Sequence, residues 1–196
     1  MSEEFTSLPI QQLKTPLSIY IHVPFCGKKC DYCDFFSVDT ARAKEKAETV
    51  RAILDDTGQL LDILSPPAVE TVYIGGGTPN SLSKRLFERL LHGIRQRVTA
   101  AGPPPAEWTV EVNPELLTAW QLETMAESGV TRLSIGVQSF SDEKLGLIGR
   151  RASAEDARRA LSMVEEVWTG RWSMDLITLI PAAARAETGG TGKGIG

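Results

Sequence analysis

The sequence predicts a parallel α/β fold from three observations. Five short apolar segments, rich in β-branched residues, are spaced along the chain and are typical of buried strands. Segments with helical periodicity separate them, which is the order that builds a parallel sheet, wound either as an open sheet or as a barrel. Glycine-rich and polar motifs follow the strands, at the end where parallel sheets bind ligands. With 196 residues, the chain is long enough for one domain with a real core.

The boundaries of the elements follow from the apolar runs and from turn residues. The predicted strands cover residues 17–23, 69–74, 108–112, 131–137 and 172–180. The predicted helices cover residues 41–64, 83–98 and 115–128, with a split helix over 141–148 and 154–168. Pro66 and Pro67 end the first helix, and Gly129 caps the third.

The two ends of the chain differ from this core in composition. Residues 1–16 are polar and predict a loose N-terminal arm, followed by a core over residues 17–181. Residues 182–196 are mostly Ala, Gly, Thr and charged residues, which predicts a low-complexity tail. A parallel sheet is not expected to stop one strand after its last crossover. We therefore expect a fragment, or a change of reading frame after Pro181, with a flexible native tail as the alternative.

Composition and charge exclude several classes of function. The net charge is -4, with 21 basic and 25 acidic residues and no long basic run, which argues against a general nucleic-acid binder. No apolar run approaches the roughly 20 residues of a membrane helix, and the polar N-terminus is not a secretory signal. Three cysteines within eight residues would leave one unpaired in any disulfide scheme. We therefore expect a cytoplasmic protein in a reducing compartment.

All three cysteines lie in one loop, "FCGKKCDYCDFF", directly after the first predicted strand. Cys26, Cys30 and Cys33 form the pattern C-x3-C-x2-C. A structural zinc ion usually takes four ligands in two separate pairs, and only His22 is close in sequence. Buried thiols without a metal are a second alternative. An iron–sulfur cluster explains the count better, because three thiolates leave one iron open for a ligand such as the amino and carboxylate groups of S-adenosylmethionine.

This loop and its flanks resemble the radical S-adenosylmethionine (radical SAM) superfamily. The motifs "YIHVPFC", "YIGGGTP", "EVNPE", "RLSIGVQSF", "IGR" and "MDLI" occur in the order and spacing of the oxygen-independent coproporphyrinogen III oxidase group and the related haem chaperones. The resemblance implies a partial (β/α) radical SAM barrel of parallel strands, incomplete at the C-terminus. It also implies a [4Fe–4S] cluster on the three cysteines, S-adenosylmethionine as cofactor, and hydrogen abstraction from a substrate as the chemistry.

The resemblance further assigns cofactor contacts to residues at the ends of the predicted strands. Gly76, Gly77 and Thr78 match the family's contact to the methionyl amine. The other matching positions are Tyr20, Tyr32, Glu111, Gln138, Arg150 and Asp175. Each has a plainer explanation when taken alone, such as a tight turn for the glycines or a solvated carboxylate for Glu111. Arg151 leaves the assignment of Arg150 open by one residue, His22 lines the same site in the family, and Asn113, Pro114 and His92 are interpreted as turn or surface residues.

Phe35 separates the two branches of the group. In the oxidase branch of the group that this loop resembles, the pattern is C-x3-C-x2-C-x-C. Phe35 occupies the position of the additional cysteine. "CDFF" resembles the haem-chaperone branch, whose members are thought to bind haem and deliver it to acceptor proteins. The prediction is therefore a haem chaperone, and the alternative is an oxygen-independent coproporphyrinogen III dehydrogenase of porphyrin biosynthesis. The implied ligand is haem or a porphyrin, and the implied protein partners are a haem acceptor and an electron donor.

Overall fold

A computed structural model describes residues 13–39 and 41–180, where five strands are separated by helices. The strands are β1 (Leu17–Val23), β2 (Val69–Gly76), β3 (Glu107–Val112), β4 (Arg132–Gln138) and β5 (Arg171–Leu176). The helices are α1 (Ala43–Leu64), α2 (Lys84–Ala101), α3 (Ala119–Ser128), α4 (Asp142–Leu147) and α5 (Ala154–Val167). Short 3-10 turns, Pro79–Ser81 and Pro114–Leu116, follow β2 and β3.

The five strands form one parallel sheet in the order β1-β2-β3-β4-β5. The predicted parallel α/β fold is therefore confirmed. A doubly wound sheet reverses its strand order part-way, whereas here every strand pairs with its neighbour in sequence, as in a (β/α) barrel. Within the described residues β1 and β5 do not pair with each other, so the sheet has two edges.

The two faces of the sheet differ in polarity because successive side chains point to opposite sides of a strand. One face packs against the helices and carries the apolar core, which includes Val72, Val110 and Ile135 from the strands and Phe87 and Ile94 from α2. The alternate positions form a polar face: Tyr20, His22, Tyr73, Thr109, Glu111, Ser134 and Asp175. Side chains at the C-terminal end of this polar face surround the candidate site.

Two predicted boundaries are wrong for identifiable reasons. The third helix begins at Ala119 and not at residue 115, because Pro114–Leu116 forms a 3-10 turn and the N–H of Thr118 then donates to the Gln121 side chain at the start of the helix. The fifth strand ends at Leu176 and not at residue 180. Leu179 has a φ of 58°, which lies outside the extended conformation of a strand. The other boundaries differ by up to three residues.

Parts of the predicted chain ends lie outside the described residues. The predicted arm at residues 1–16 is described only from residue 13, and the predicted tail at 182–196 is not described. Leu13 is held at the base of the sheet, where its backbone N–H donates to the carbonyl oxygen of Leu64 at 3.0 Å. Across residues 13–39 and 41–180, no helix has the length and apolar character needed to cross a membrane.

Candidate functional site

The C-terminal ends of the strands and the cysteine loop enclose a pocket of about 150 Å³. Most of the residues predicted for the site line this pocket: Tyr32, Cys33, Gly76, Gly77, Glu111, Gln138, Arg150 and Asp175. Cys30 is connected to the pocket by a hydrogen bond from Arg150. Cys26 is connected to it through Thr78, which bonds both Cys26 and the pocket residue Asn113. Tyr20 lies further down the polar face and does not line the pocket. The fold thus brings together residues that are far apart in sequence.

The cysteine loop is anchored by backbone hydrogen bonds at both ends. The N–H of Cys26 donates to the carbonyl of Val38 at 3.2 Å, and the N–H of Val38 donates to that of Pro24 at 2.6 Å. The N–H of Asp31 donates to the carbonyl of Ile148 at 3.1 Å. These bonds hold the three free thiols against the ends of β1 and α4, with Cys30 buried and the other two half-buried.

The thiols fit an iron–sulfur cluster better than a single metal ion. Among residues 13–39 and 41–180, no three His, Cys, Asp or Glu side chains are placed to hold one ion. In a [4Fe–4S] cluster each thiolate binds a different iron, so the three sulfurs need not converge on one point. Soft thiolates are also the ligands that such clusters prefer. The donor set of Cys26, Cys30 and Cys33 therefore fits the predicted cluster.

A Cβ would crowd neighbouring atoms at all three positions of the glycine run at the end of β2. A Cβ on Gly75 would lie 2.6 Å from Oε2 of Glu111, and a Cβ on Gly77 would lie 2.7 Å from the carbonyl oxygen of Phe25. Gly76 has a φ of 109°, and a Cβ there would lie 2.7 Å from Nδ1 of His22. A tight turn alone would need one glycine. The run therefore makes room for the protein's own site residues, which the sequence did not reveal.

Glu111 projects from the polar face beneath the glycine run, as the alternation of β3 predicts. Its carboxylate accepts hydrogen bonds from the Tyr73 hydroxyl at 2.7 Å and from the Gly76 N–H at 3.1 Å. Burial raises the pKa of the Tyr73 hydroxyl, and the hydrogen bond to Glu111 raises it further, so Tyr73 stays a donor. The half-buried charge of Glu111 is therefore compensated by two donors.

Arg150, rather than Arg151, enters the pocket. Its Nη2 donates to the carbonyl of Gly136 at 2.6 Å and to Oδ1 of Asn113 at 2.9 Å, while Nη1 lies 3.9 Å from Sγ of Cys30. Burial works to lower the pKa of Arg150, but nearby Tyr32 and other groups outweigh it and raise that pKa. Nε is buried and has no hydrogen-bond partner among the residues that the structure describes. Nη2 donates both of its hydrogens to protein acceptors, whereas one hydrogen of Nη1 has no acceptor among the described residues.

Four further predicted residues lie in or below the pocket. The Tyr20 hydroxyl and Nδ1 of His22 are 3.1 Å apart, and His22 Nε2 lies 2.8 Å from the carbonyl of Phe36. Since a carbonyl only accepts, Nε2 of His22 is the donor to Phe36. Burial raises the pKa of Tyr32 to about 12, although Arg150 acts to lower it. Asp175 accepts from the Ser134 hydroxyl at 3.2 Å.

Gln138 and Asn113 differ from their predicted settings. Gln138 is the last residue of β4 and has a φ of 66°, whereas the sequence placed it after the strand. Asn113 begins the turn at Pro114–Leu116, as predicted, but its side chain also contacts Thr78 and Arg150. The available signal was its position two residues after Glu111, which puts both side chains on the same face of the chain. Tyr73 and Ser134 could have been found by the same alternation.

The pattern of elements and motifs matches a known protein family. The model of the radical SAM superfamily matches residues 20–187. The chain belongs to the radical SAM superfamily. Membership implies S-adenosylmethionine and a [4Fe–4S] cluster as cofactors. The individual contacts that Tyr20, Glu111, Arg150 and the other site residues make to these cofactors stay predictions.

Two curated relatives and one solved structure are similar over most of this radical SAM chain. The heme chaperone HemW of Escherichia coli (strain K12) is 37% identical over 172 residues, which are 88% of this chain and 45% of HemW. The mitochondrial radical S-adenosyl methionine domain-containing protein 1 of Bos taurus is 36% identical, over 84% of this chain and 37% of that protein. The structure of the coproporphyrinogen III oxidase HemN from Escherichia coli gives a TM-score of 0.75 at 29% identity, over 85% of this chain and 38% of HemN.

The similarity to HemN confirms the predicted radical SAM fold of parallel strands. The chain spans less than half the length of each of these three proteins. The predicted cytoplasmic location stays a prediction.

Proposed function

We propose that this protein is a haem chaperone, which binds haem and transfers it to an acceptor protein, and which carries a [4Fe–4S] cluster on Cys26, Cys30 and Cys33. The observation that carries this proposal is Phe35. By the family resemblance, the oxidase branch has a fourth cysteine at this position. The relatives named heme chaperone HemW, at 37% and 35% identity in Escherichia coli and Bacillus subtilis, support the same branch.

The pocket supplies groups suited to the cofactors of the family. When bound, the cluster and S-adenosylmethionine supply one-electron and radical chemistry. Glu111 would accept hydrogen bonds from a ligand amine or hydroxyl, and the guanidinium of Arg150, which lines the pocket, would donate to a ligand carboxylate. Tyr32 stands beside the cysteines at the wall of the pocket and would limit the access of water. These roles rest on the contacts described above and on the family resemblance.

The rim of the pocket supports the binding of a flat apolar ligand. Phe35 lines the pocket and is 60% exposed, and Phe36 beside it is 70% exposed. Tyr20 is 56% exposed, and the ring of Phe36 lies 6.4 Å from that of His22. Neighbouring exposed aromatic side chains are unusual on a surface without a binding role, and they offer stacking area to a porphyrin.

A coproporphyrinogen dehydrogenase is the second candidate function. It is favoured by the similarity of the fold to the coproporphyrinogen III oxidase HemN, with a TM-score of 0.75. Phe35 argues against it, because it replaces the fourth cysteine that the resemblance assigns to the oxidase branch. The two functions differ in whether the porphyrin is a bound cargo or a consumed substrate.

The test compares haem binding with turnover in the same preparation. The chain is reconstituted anaerobically with iron and sulfide, titrated with haem by absorbance, and assayed for loss of coproporphyrinogen III. We expect stable haem binding without turnover. Replacing the rim residue, Phe35→Ser, should weaken haem binding about 10-fold, the equivalent of about 1.4 kcal/mol.

The control replaces an exposed apolar residue on α1, far from the pocket. Ile63→Ser should leave the affinity for haem unchanged, since Ile63 is similarly exposed but lines neither the pocket nor the groove beside Tyr20 and His22. Turnover of coproporphyrinogen without stable haem binding would contradict the chaperone function and favour the second candidate. Absence of haem binding would also contradict it.

A further inference from the structure

Asn113 joins two hydrogen-bonded paths that lead to cysteine sulfurs. Its Oδ1 accepts from Nη2 of Arg150 at 2.9 Å, and Nη1 of Arg150 lies 3.9 Å from Sγ of Cys30. Its Nδ2 donates to Oγ1 of Thr78 at 3.2 Å, and this hydroxyl lies 3.5 Å from Sγ of Cys26. One side chain therefore connects the surroundings of two of the three thiols.

The orientation of the Asn113 amide follows from its partners. A guanidinium only donates, so the atom of Asn113 that faces Arg150 must be the oxygen. The amide nitrogen is then turned toward Thr78 and donates to its hydroxyl oxygen. Because that oxygen accepts a hydrogen bond from Asn113, the hydroxyl's own hydrogen is free to point at the sulfur of Cys26.

The backbone of Asn113 is fixed independently of this side chain. Its N–H donates to Oδ1 of Asn80 at 3.0 Å, and Nδ2 of Asn80 donates to its carbonyl at 3.1 Å. Asn80 is buried and lies in the turn that follows the glycine run. A substitution of the Asn113 side chain therefore leaves these two backbone bonds in place, although Asp at this position would lie beside Oε1 of Glu115, which is 3.4 Å from Nδ2 of Asn113.

We propose that Asn113 is a positioning residue that directs hydrogen bonds to the sulfurs of Cys26 and Cys30. The inference rests on the proposed cluster, whose ligands are these cysteines. Hydrogen bonds to the sulfur ligands are one of the factors that set the reduction potential of iron–sulfur clusters. Asn113 thus tunes the cluster through Thr78 and Arg150, without touching it.

The test replaces the amide by a group that cannot donate. In Asn113→Asp the carboxylate still accepts from Arg150, but it now also accepts from Thr78 and draws that hydroxyl proton away from Cys26. Loss of a hydrogen bond to sulfur favours the oxidised cluster. The midpoint potential of the reconstituted cluster, followed by electron paramagnetic resonance without S-adenosylmethionine, is expected to become more negative.

A double-mutant cycle separates this path from the added negative charge. Thr78→Val removes the hydroxyl and should lower the potential in the same direction. In the double variant, Thr78→Val has already removed the hydroxyl, so Asn113→Asp changes the potential only through its negative charge. The combined shift should therefore be smaller than the sum of the two single shifts. Thermal unfolding and bound iron are measured for each variant, so that a lost fold or cluster is recognised as such.

The outcomes distinguish this inference from the proposed function. Variants that carry a full cluster but show unchanged or additive potentials would overturn the role of Asn113 alone. A wild-type chain that takes up no iron would contradict the cofactor assignment on which both depend. The measurement does not involve haem, so failure of haem binding leaves its result valid.

Discussion

Gly77 lies against the backbone of the cysteine loop and has no room for a side chain. A Cβ at this position would lie 2.7 Å from the carbonyl oxygen of Phe25 and 2.9 Å from its nitrogen. Backbone atoms cannot move aside as the end of a flexible side chain can. Any substitution must therefore displace the loop that carries the thiols, or the turn itself.

We expect Gly77→Ala to lower the free energy of unfolding by about 1–3 kcal/mol, as overpacking does elsewhere. Iron uptake on reconstitution should fall as well, because the new methyl group would displace the backbone of Phe25, which directly precedes Cys26. Urea unfolding and iron analysis measure the two effects. Gly146→Ala is the matched control, since Gly146 lies in α4 and a Cβ there would meet no atom of the described residues within 4 Å. The control should gain about 0.5–1 kcal/mol from helix propensity. Equal stability of the two variants would contradict the packing described here.

The sequence motifs predicted which residues form the site, but not the contacts between them. The glycine run and Glu111 were recognisable as site residues from their motifs. Their mutual contact, with Oε2 of Glu111 accepting from the N–H of Gly76, depends on how β2 and β3 pair, which no local pattern specifies. Likewise, the segment "VNP" gave no signal that the side chain of Asn113 bonds to Thr78 and Arg150.

At the scale of single elements, α5 begins with a complete capping box. The Oγ of Ser153 accepts from the N–H of Asp156 at 3.0 Å, and Oδ2 of Asp156 accepts from the N–H of Ser153 at 3.0 Å. The N–H and the hydroxyl of Ser153 both donate to this carboxylate, and these two bonds lower the pKa of Asp156. Ser83 begins α2 in the equivalent position but makes no capping hydrogen bond with its side chain.

We expect Ser153→Ala to reduce the free energy of unfolding by about 1 kcal/mol at neutral pH. Because the folded-state pKa of Asp156 is lowered, the carboxylate's contribution is present above its unfolded pKa and is lost as the pH falls below about 4. The difference between wild type and variant should therefore shrink between pH 7 and pH 3 in urea unfolding. Ser83→Ala should change stability little at either pH. A larger loss for Ser83→Ala would contradict the assignment of the cap.

The elements show where sequence patterns suffice and where they fail. β1 was predicted with its observed bounds, because an apolar β-branched run between prolines has few alternatives. The start of α3 was misplaced because Asn113-Pro114 also suits a helix start. The competing signal is the capping box from Thr118 to Gln121, which a search for that pattern would have found.

At the scale of the whole molecule, β1 and β5 form the two edges of the sheet in the described residues. A groove of about 360 Å³ runs along β1 and is bordered by apolar side chains of α1 such as Ile53 and Leu60. On β5, Met174 is 40% and Leu176 is 51% exposed. Exposed edges with apolar flanks tend to pair with other chains.

We therefore expect this chain to self-associate with increasing concentration in sedimentation velocity. Leu176→Lys should shift the distribution toward monomer, because a lysine on an edge strand opposes edge-to-edge pairing. Val167→Lys is the control, as Val167 is also partly exposed but ends α5 rather than lying on an edge. A wild-type chain that stays monomeric at every concentration would contradict the prediction.

The sequence by itself determined the order of strands and helices, the radical SAM resemblance and the three thiols of one loop. These features depend on local periodicity, on turn residues and on ligands that are neighbours in the chain. Only the tertiary structure decided that Arg150, and not Arg151, enters the pocket, and that Asn113 connects Thr78 with Arg150. The physical reason is that such contacts join residues 35 or more positions apart. They exist only when parallel strands, in their observed register, bring their C-terminal ends to one edge of the sheet.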